Sequence, residues 1–132
     1  MIDPEQQDAP IQVVPQLRVA DLKRSIAFYA DALGLSATVL DPPEAPVFAS
    51  LEAGDVTLFL VADDESLAAE ALAAPRGAGV RIYFEVEDAE RLYRRLVDAG
   101  VEVLGPPVRN EEEDYVEFRM VDPDGYEIGV YS

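Results

Sequence analysis

The chain has 132 residues, 49% of them hydrophobic, which suits one domain with a buried core. Its 27 acids against 10 bases give a formal charge of -17, a surface that repels nucleic-acid phosphates and anionic lipid headgroups, so neither is an expected partner. With no cysteine and no histidine, it has no disulfide, zinc finger, thiol nucleophile or imidazole base.

The N-terminal "MIDPEQQDAP" has no basic region leading into an apolar run. No apolar stretch reaches about 18 residues, so neither a signal peptide nor a membrane span is expected, and the cytoplasm is the default location. Alternation of Val13, Leu17 and Val19 with polar neighbours predicts a strand over about 12–19, with Pro15 marking an edge poor in ladder partners. Asp21 is placed to cap a helix with the stripe Leu22, Ile26, Tyr29, Ala30, Leu33, stopped by Gly34. Strands are then predicted near 36–41, 46–52 and 55–62. "DDESLAAEALAAPRGAG", residues 63–79, reads as a structural connector, an alanine-rich helical turn or two before a Pro and Gly linker. The pattern then starts again: strand 80–87, a helix capped by Asp88 with stripe Ala89, Leu92, Tyr93, Leu96, a stop at Gly100, and strands near 101–104, 115–121 and 126–131.

Subtraction supports a repeat. Val19 and Val86, and the caps Asp21 and Asp88, lie 67 apart, Gly34 and Gly100 lie 66 apart, and Phe48 and Phe118 lie 70 apart, as do Leu58 and Ile128. The predicted fold is α+β, one domain of two strand-helix-three-strand (βαβββ) modules, 11–62 and 80–132, forming a curved mixed sheet around a cleft with the helices outside.

"VPQLRVADLKRSIAFYADALGL" near the start and "DPDGYEIGVY" at the end resemble the glyoxalase, bleomycin-resistance and extradiol-dioxygenase superfamily, the vicinal oxygen chelate proteins. The resemblance covers about residues 11–132 and implies the paired-module fold. It leaves function open, because the superfamily includes lyases, epimerases, dioxygenases, thiol transferases and drug-binding proteins. Its enzymes hold a divalent metal on His, Glu or Gln from the first and fourth strand of each module. Counting from the motifs, those places fall on Val14, Phe59, Arg81 and Gly129, and none of these side chains can bind a metal. No cofactor is therefore expected. The alternative is a displaced site on Glu85 and Glu127 that weakly holds Mg²⁺ or Ca²⁺ and serves a glyoxalase, epimerase or dioxygenase reaction.

Alternation places Leu17, Val19, Leu58, Leu60, Ile82, Phe84, Val86, Ile128 and Val130 under the helices. The opposite face takes Val14, Gln16, Arg18, Thr57, Phe59, Val61, Arg81, Tyr83, Glu85, Glu127, Gly129 and Tyr131. With the resemblance, this second set reads as a ligand cleft of apolar walls and a few orienting polar groups. Phe59, Tyr83 and Tyr131 are placed to stack on planar groups, and Arg81 and Glu85 either pair with each other or anchor a charge. The acidic run Asn110 to Asp114 is a solvated loop that, at the rim, would attract a cationic guest. The resulting expectation is a metal-independent binding protein that sequesters an aromatic or cationic compound. The resemblance also implies a homodimer. A blander reading, an interaction subunit with a degenerate cleft, predicts no cavity between the modules. "DPDG" itself reads as the hairpin turn before the last strand.

Overall fold

The computed structural model describes residues 9–63 and 75–132. In chain order the elements are β1 (Gln16–Val19), α1 (Leu22–Leu33), β2 (Ser36–Asp41), β3 (Phe48–Ala53), β4 (Val56–Ala62), β5 (Arg81–Glu85), α2 (Ala89–Asp98), β6 (Val108–Asn110), β7 (Tyr115–Val121) and β8 (Glu127–Tyr131). Two four-stranded sheets result, ordered β1-β4-β3-β2 and β5-β8-β7-β6. In each, the module's first strand runs parallel to its last and the other pairings are antiparallel. The path of the first module is thus repeated by the second. The helical turns expected in the connector fall within 64–74, outside the described residues.

Both helices start and stop where their caps dictate. Asp21 accepts a hydrogen bond from the Arg24 amide at 3.1 Å, and Asp88 accepts one from the Arg91 amide at 3.0 Å. At the end of α1, Gly34 adopts φ 71°, and the amides of Gly34 and Leu35 close back on the carbonyls of Ala30 and Tyr29. The buried stripe of α1 is Leu22, Ser25, Tyr29 and Ala32, which corrects the predicted one: Ala30 faces solvent, and Ile26 and Leu33 are half-buried. Ser25 is buried because its hydroxyl has a partner in the other module, described below.

Two strand predictions need correction. The first strand begins only at Gln16, and upstream of Pro15 the chain forms no strand and leaves Ile11 100% and Val13 87% exposed, since Pro15 has no N–H to continue a ladder. Residues 101–104 form no strand; Val103 makes one isolated bridge to Met120, and the edge strand comes later, at Val108–Asn110. Pro106 and Pro107 separate the two segments and cannot donate to a ladder.

The helix-facing sides of the sheets supply the core. Leu17, Val19, Leu58, Leu60, Ile128 and Val130 are buried with Leu51, Phe118 and Met120, and Ile82, Phe84 and Val86 are half-buried against them. Each large apolar side chain buried here contributes about 1.5–3 kcal/mol. Alternation along the strands turns the remaining side chains to the other face of each sheet.

Candidate functional site

In the first module the rows across β1, β4 and β3 are Gln16–Phe59–Ser50 and Arg18–Val61–Phe48. Thr57 stands in the next row, beside Glu52. Val14 lies just before β1 and is half-buried, while the neighbouring Pro15 carbonyl accepts the Phe59 amide at 3.0 Å. The rings of Phe48 and Phe59 meet edge to face with centroids 5.2 Å apart. This face sets the Phe48–Phe59 pair and Val61 among Gln16, Arg18, Ser50, Glu52 and Thr57.

The second module's rows, across β5, β8 and β7, read Arg81–Glu127–Val121, Tyr83–Gly129–Arg119 and Glu85–Tyr131–Glu117. Here nearly every position is aromatic or charged. Arg81 grips Glu127 with its Nε at 2.9 Å and a terminal nitrogen at 2.8 Å, and Arg119 reaches the same Oε1 at 3.1 Å. The Tyr83 hydroxyl accepts a further hydrogen bond from Arg81 at 3.3 Å. Together, Tyr83 and Glu127 hold the Arg81 guanidinium above its ordinary range. Tyr131 donates to Glu85 at 3.1 Å, and that bond, reinforced by the carboxylate charge, raises the Tyr131 hydroxyl above the usual phenol range. Tyr131 also meets two rings edge to face, Tyr83 at 6.3 Å and Tyr115 at 6.4 Å.

Two expectations are corrected by this pairing. Arg81 and Glu85 do not pair, because four residues along a strand separate them by roughly 13 Å and each has another partner. The same spacing separates Glu127 from Glu85, which stand in different rows, so they form no common carboxylate site. Among the described residues, no three His, Cys, Asp or Glu come together where they could hold a metal ion.

The packing at Gly129 bears most directly on the metal question. Gly129 pairs across the ladder with Tyr83, whose ring packs against it. A Cβ built at 129 would stand 2.4 Å from Tyr83 Cε1 and 2.5 Å from its Cδ1, inside van der Waals contact. Only glycine admits the ring, and the ring takes the space that a glutamate side chain would need. Of the other three inferred positions, Phe59 and Arg81 lie on the open faces and Val14 at the entrance to β1. None offers a metal ligand.

Two cavities flank the second open face. One, of about 470 Å³, lies at its Arg81–Glu127 end beside the loop 76–80. The other, of about 430 Å³, lies at its Tyr115–Glu117 end beneath the acidic turn. In that turn Asn110 accepts the Glu113 amide at 2.9 Å, and Asp114 pairs with Arg109 at 2.6 Å.

The "DPDGY" turn does more than reverse the chain. Gly125 donates to the Asp122 carbonyl at 3.0 Å, as a tight turn requires. The buried Asp122 carboxylate then accepts from the amides of Asp124 and Tyr126, both at 2.9 Å, and from Tyr29 of α1 at 2.7 Å. Asp124 accepts from the Ala20 amide at 2.9 Å and from Ser25 at 3.2 Å. Tyr126 donates to the Arg18 carbonyl at 2.7 Å. From the connector, Arg76 reaches the Arg18 carbonyl at 3.0 Å, pairs with both oxygens of Asp63, and approaches Asp124 at 3.4 Å. The turn therefore clamps the second module onto the β1–α1 junction of the first. Burial pushes the Asp122 carboxyl up, with its hydrogen bonds from Tyr29 and the turn amides opposing. Burial, then the neighbouring Asp122 charge, holds the Tyr29 hydroxyl well above the phenol range. Asp63 moves the other way, lowered chiefly by its bond from Arg76.

Comparison with known proteins agrees with this architecture. Residues 11–130 match the model of the Glyoxalase/Bleomycin resistance protein/Dioxygenase superfamily. The bleomycin resistance protein of Geobacillus stearothermophilus is 28% identical over 131 residues, covering 92% of this chain and 96% of that one. Among solved structures, lactoylglutathione lyase from Agrobacterium tumefaciens superposes with a TM-score of 0.70 at 22% identity, covering 92% of this chain and 93% of its own. The bleomycin resistance determinant encoded on transposon Tn5 gives 0.66 at 21% identity, covering 93% and 98%. At such identities the structures speak for the fold, while the family model spans nearly the whole chain: it belongs to the glyoxalase/bleomycin resistance protein/dioxygenase superfamily.

Proposed function

We propose that this chain binds a small aromatic or cationic molecule on the open faces of its sheets and sequesters it, with no metal and no turnover. The observation that carries this reading is the Tyr83 ring seated on Gly129. Where the superfamily's metalloenzymes carry a glutamate, this chain has an aromatic surface. The divalent metal of those enzymes does not fit the residues present, since Val14, Phe59, Arg81 and Gly129 supply no ligand and Glu127 is already paired with two guanidiniums. The similarity to bleomycin resistance proteins over 92% of the chain points the same way. The family resemblance supports, as part of this proposal, a homodimer in which a second copy completes the cleft. No described helix is long and apolar enough to cross a membrane, and the cytoplasm is the expected location.

Isothermal titration against a panel of aromatic and cationic antibiotics tests the binding, and elemental analysis of protein purified without chelator tests the metal. Saturable heat from at least one compound, unchanged by chelator, is the expected result. No binding across the panel would overturn the reading, and so would stoichiometric metal that Glu127→Ala removes.

A further inference from the structure

The second open face is polarised along its strands. At one end Arg81 and Arg119 converge on one oxygen of Glu127. Two guanidiniums meet one carboxylate, so this end carries a surplus positive charge in a protein whose net charge is -17. Arg119 gives Glu127 one of its five N–H donors, and its side chain is 43% exposed. At the other end the sign reverses: Glu85 and Glu117 flank Tyr131 in one row. The Tyr131 ring stands 65° from Tyr83 and 76° from Tyr115. Steeply angled tyrosine faces beside carboxylates make a seat for an ammonium group, which ring quadrupoles and full charges attract together. Between the two ends lies the Tyr83 ring, packed against Gly129.

From this arrangement we propose that the second open face recognises a flat dipolar compound, its anionic group on Arg81 and Arg119 and its cationic group in the tyrosine angle between Glu85 and Glu117. The proposal rests on the small-molecule-binding reading and narrows its ligand class from aromatic or cationic compounds to aromatic zwitterions. Strands rise about 3.3 Å per residue, so the two poles stand roughly 7–13 Å apart, the nearer figure measured from Arg119 and the farther from Arg81. A para-disubstituted biphenyl places its charges inside that window. Cavities of about 470 Å³ and 430 Å³ at the two ends leave room for the groups to enter.

The test uses three compounds on one core: 4′-(trimethylammonio)biphenyl-4-carboxylate, its methyl ester, which keeps only the cation, and biphenyl-4-carboxylate, which keeps only the anion. Titration calorimetry of the full chain should give at least tenfold tighter binding for the zwitterion than for either single-charge compound. Arg119→Gln should bring the zwitterion to the ester's affinity and leave the ester within about twofold. Glu85→Gln should weaken the zwitterion and the ester and leave the carboxylate unchanged. Both positions are on the sheet surface, and unchanged circular dichroism and melting temperature exclude misfolding. An ester or a carboxylate that binds as tightly as the zwitterion overturns the dipolar assignment. If none of the three binds while a compound from the antibiotic panel does, this assignment falls and the binding reading survives; if nothing binds, both fall.

Discussion

The first and second modules trace the same strand, helix and three strands, yet their corresponding hairpins have opposite fates. In the second module Asp122, Asp124 and Tyr126 are knitted into the β1–α1 junction of the first. Seventy positions earlier, the first module has Glu52, Gly54 and Val56, all exposed. The open faces diverge as well: Phe48 and Phe59 on one, and three tyrosines with interlocked charges on the other. The duplicated part is the apolar alternation that builds the core. Polar side chains, which core packing does not dictate, have been assigned separately in each copy, in one as clamp and charged wall, in the other as polar positions around the Phe48–Phe59 pair.

The largest effect expected from this contrast is at the clamp. Asp122→Ala leaves the buried Tyr29 hydroxyl and the amides of Asp124 and Tyr126 without their acceptor, at a cost of about 3 kcal/mol or more. Glu52→Ala, at the equivalent place, should stay within about 0.5 kcal/mol. Urea unfolding of both variants measures the difference. Equal effects would mean that the hairpins are energetically alike and that the clamp adds nothing to stability.

Next comes the surface on Gly129. Gly129→Ala forces its Cβ against the Tyr83 ring, and because Tyr83 is 43% exposed the ring can turn outward, limiting the cost to about 1–2 kcal/mol. Tyr83→Ala in the same chain should remove most of that cost, a coupling that a double-mutant cycle reads directly. Additive losses would show that the ring does not need the glycine.

The legible and illegible parts of the sequence divide along the same line. Period-two alternation placed Leu17, Leu60, Ile128 and Val130 in the core because burial of apolar surface leaves a local signal. Asp21, Gly34 and Asp88 were legible because capping is settled within three or four residues. The clamp was not, since Tyr29 and Asp122 meet across a separation of 93 residues. A polar atom at position 25 on an otherwise apolar helix stripe was the available hint: a buried hydroxyl calls for a partner. Arg119 was missed on the charged wall for a related reason. It lies on β7, and assigning faces from the first and last strands of each module leaves the third unread. The apparent strand at 101–104 shows the limit of short apolar runs, which do not reveal whether a partner strand is within reach.

The smallest effect, and the one that isolates the connector, concerns Arg76. Its pair with Asp63 holds that carboxyl below its ordinary range, so the folded state keeps the charge where the unfolded chain would take up a proton. The resulting stability is fully present above the unfolded carboxylate pKa, about 3.9, and is lost as pH falls through the lowered folded value. Asp122, pushed up by burial, has the opposite sign, its contribution falling as pH rises, but it is common to wild type and Arg76→Ala and cancels in their difference. The wild type should therefore melt a few degrees above Arg76→Ala near neutrality, on the order of 1 kcal/mol for a pair this accessible. The gap should narrow as pH drops below about 4. It should not vanish, because the hydrogen bond from Arg76 to the Arg18 carbonyl does not titrate. A gap constant from about pH 7 to about pH 2 would assign the effect of Arg76 to contacts other than Asp63 and remove that pair from the clamp.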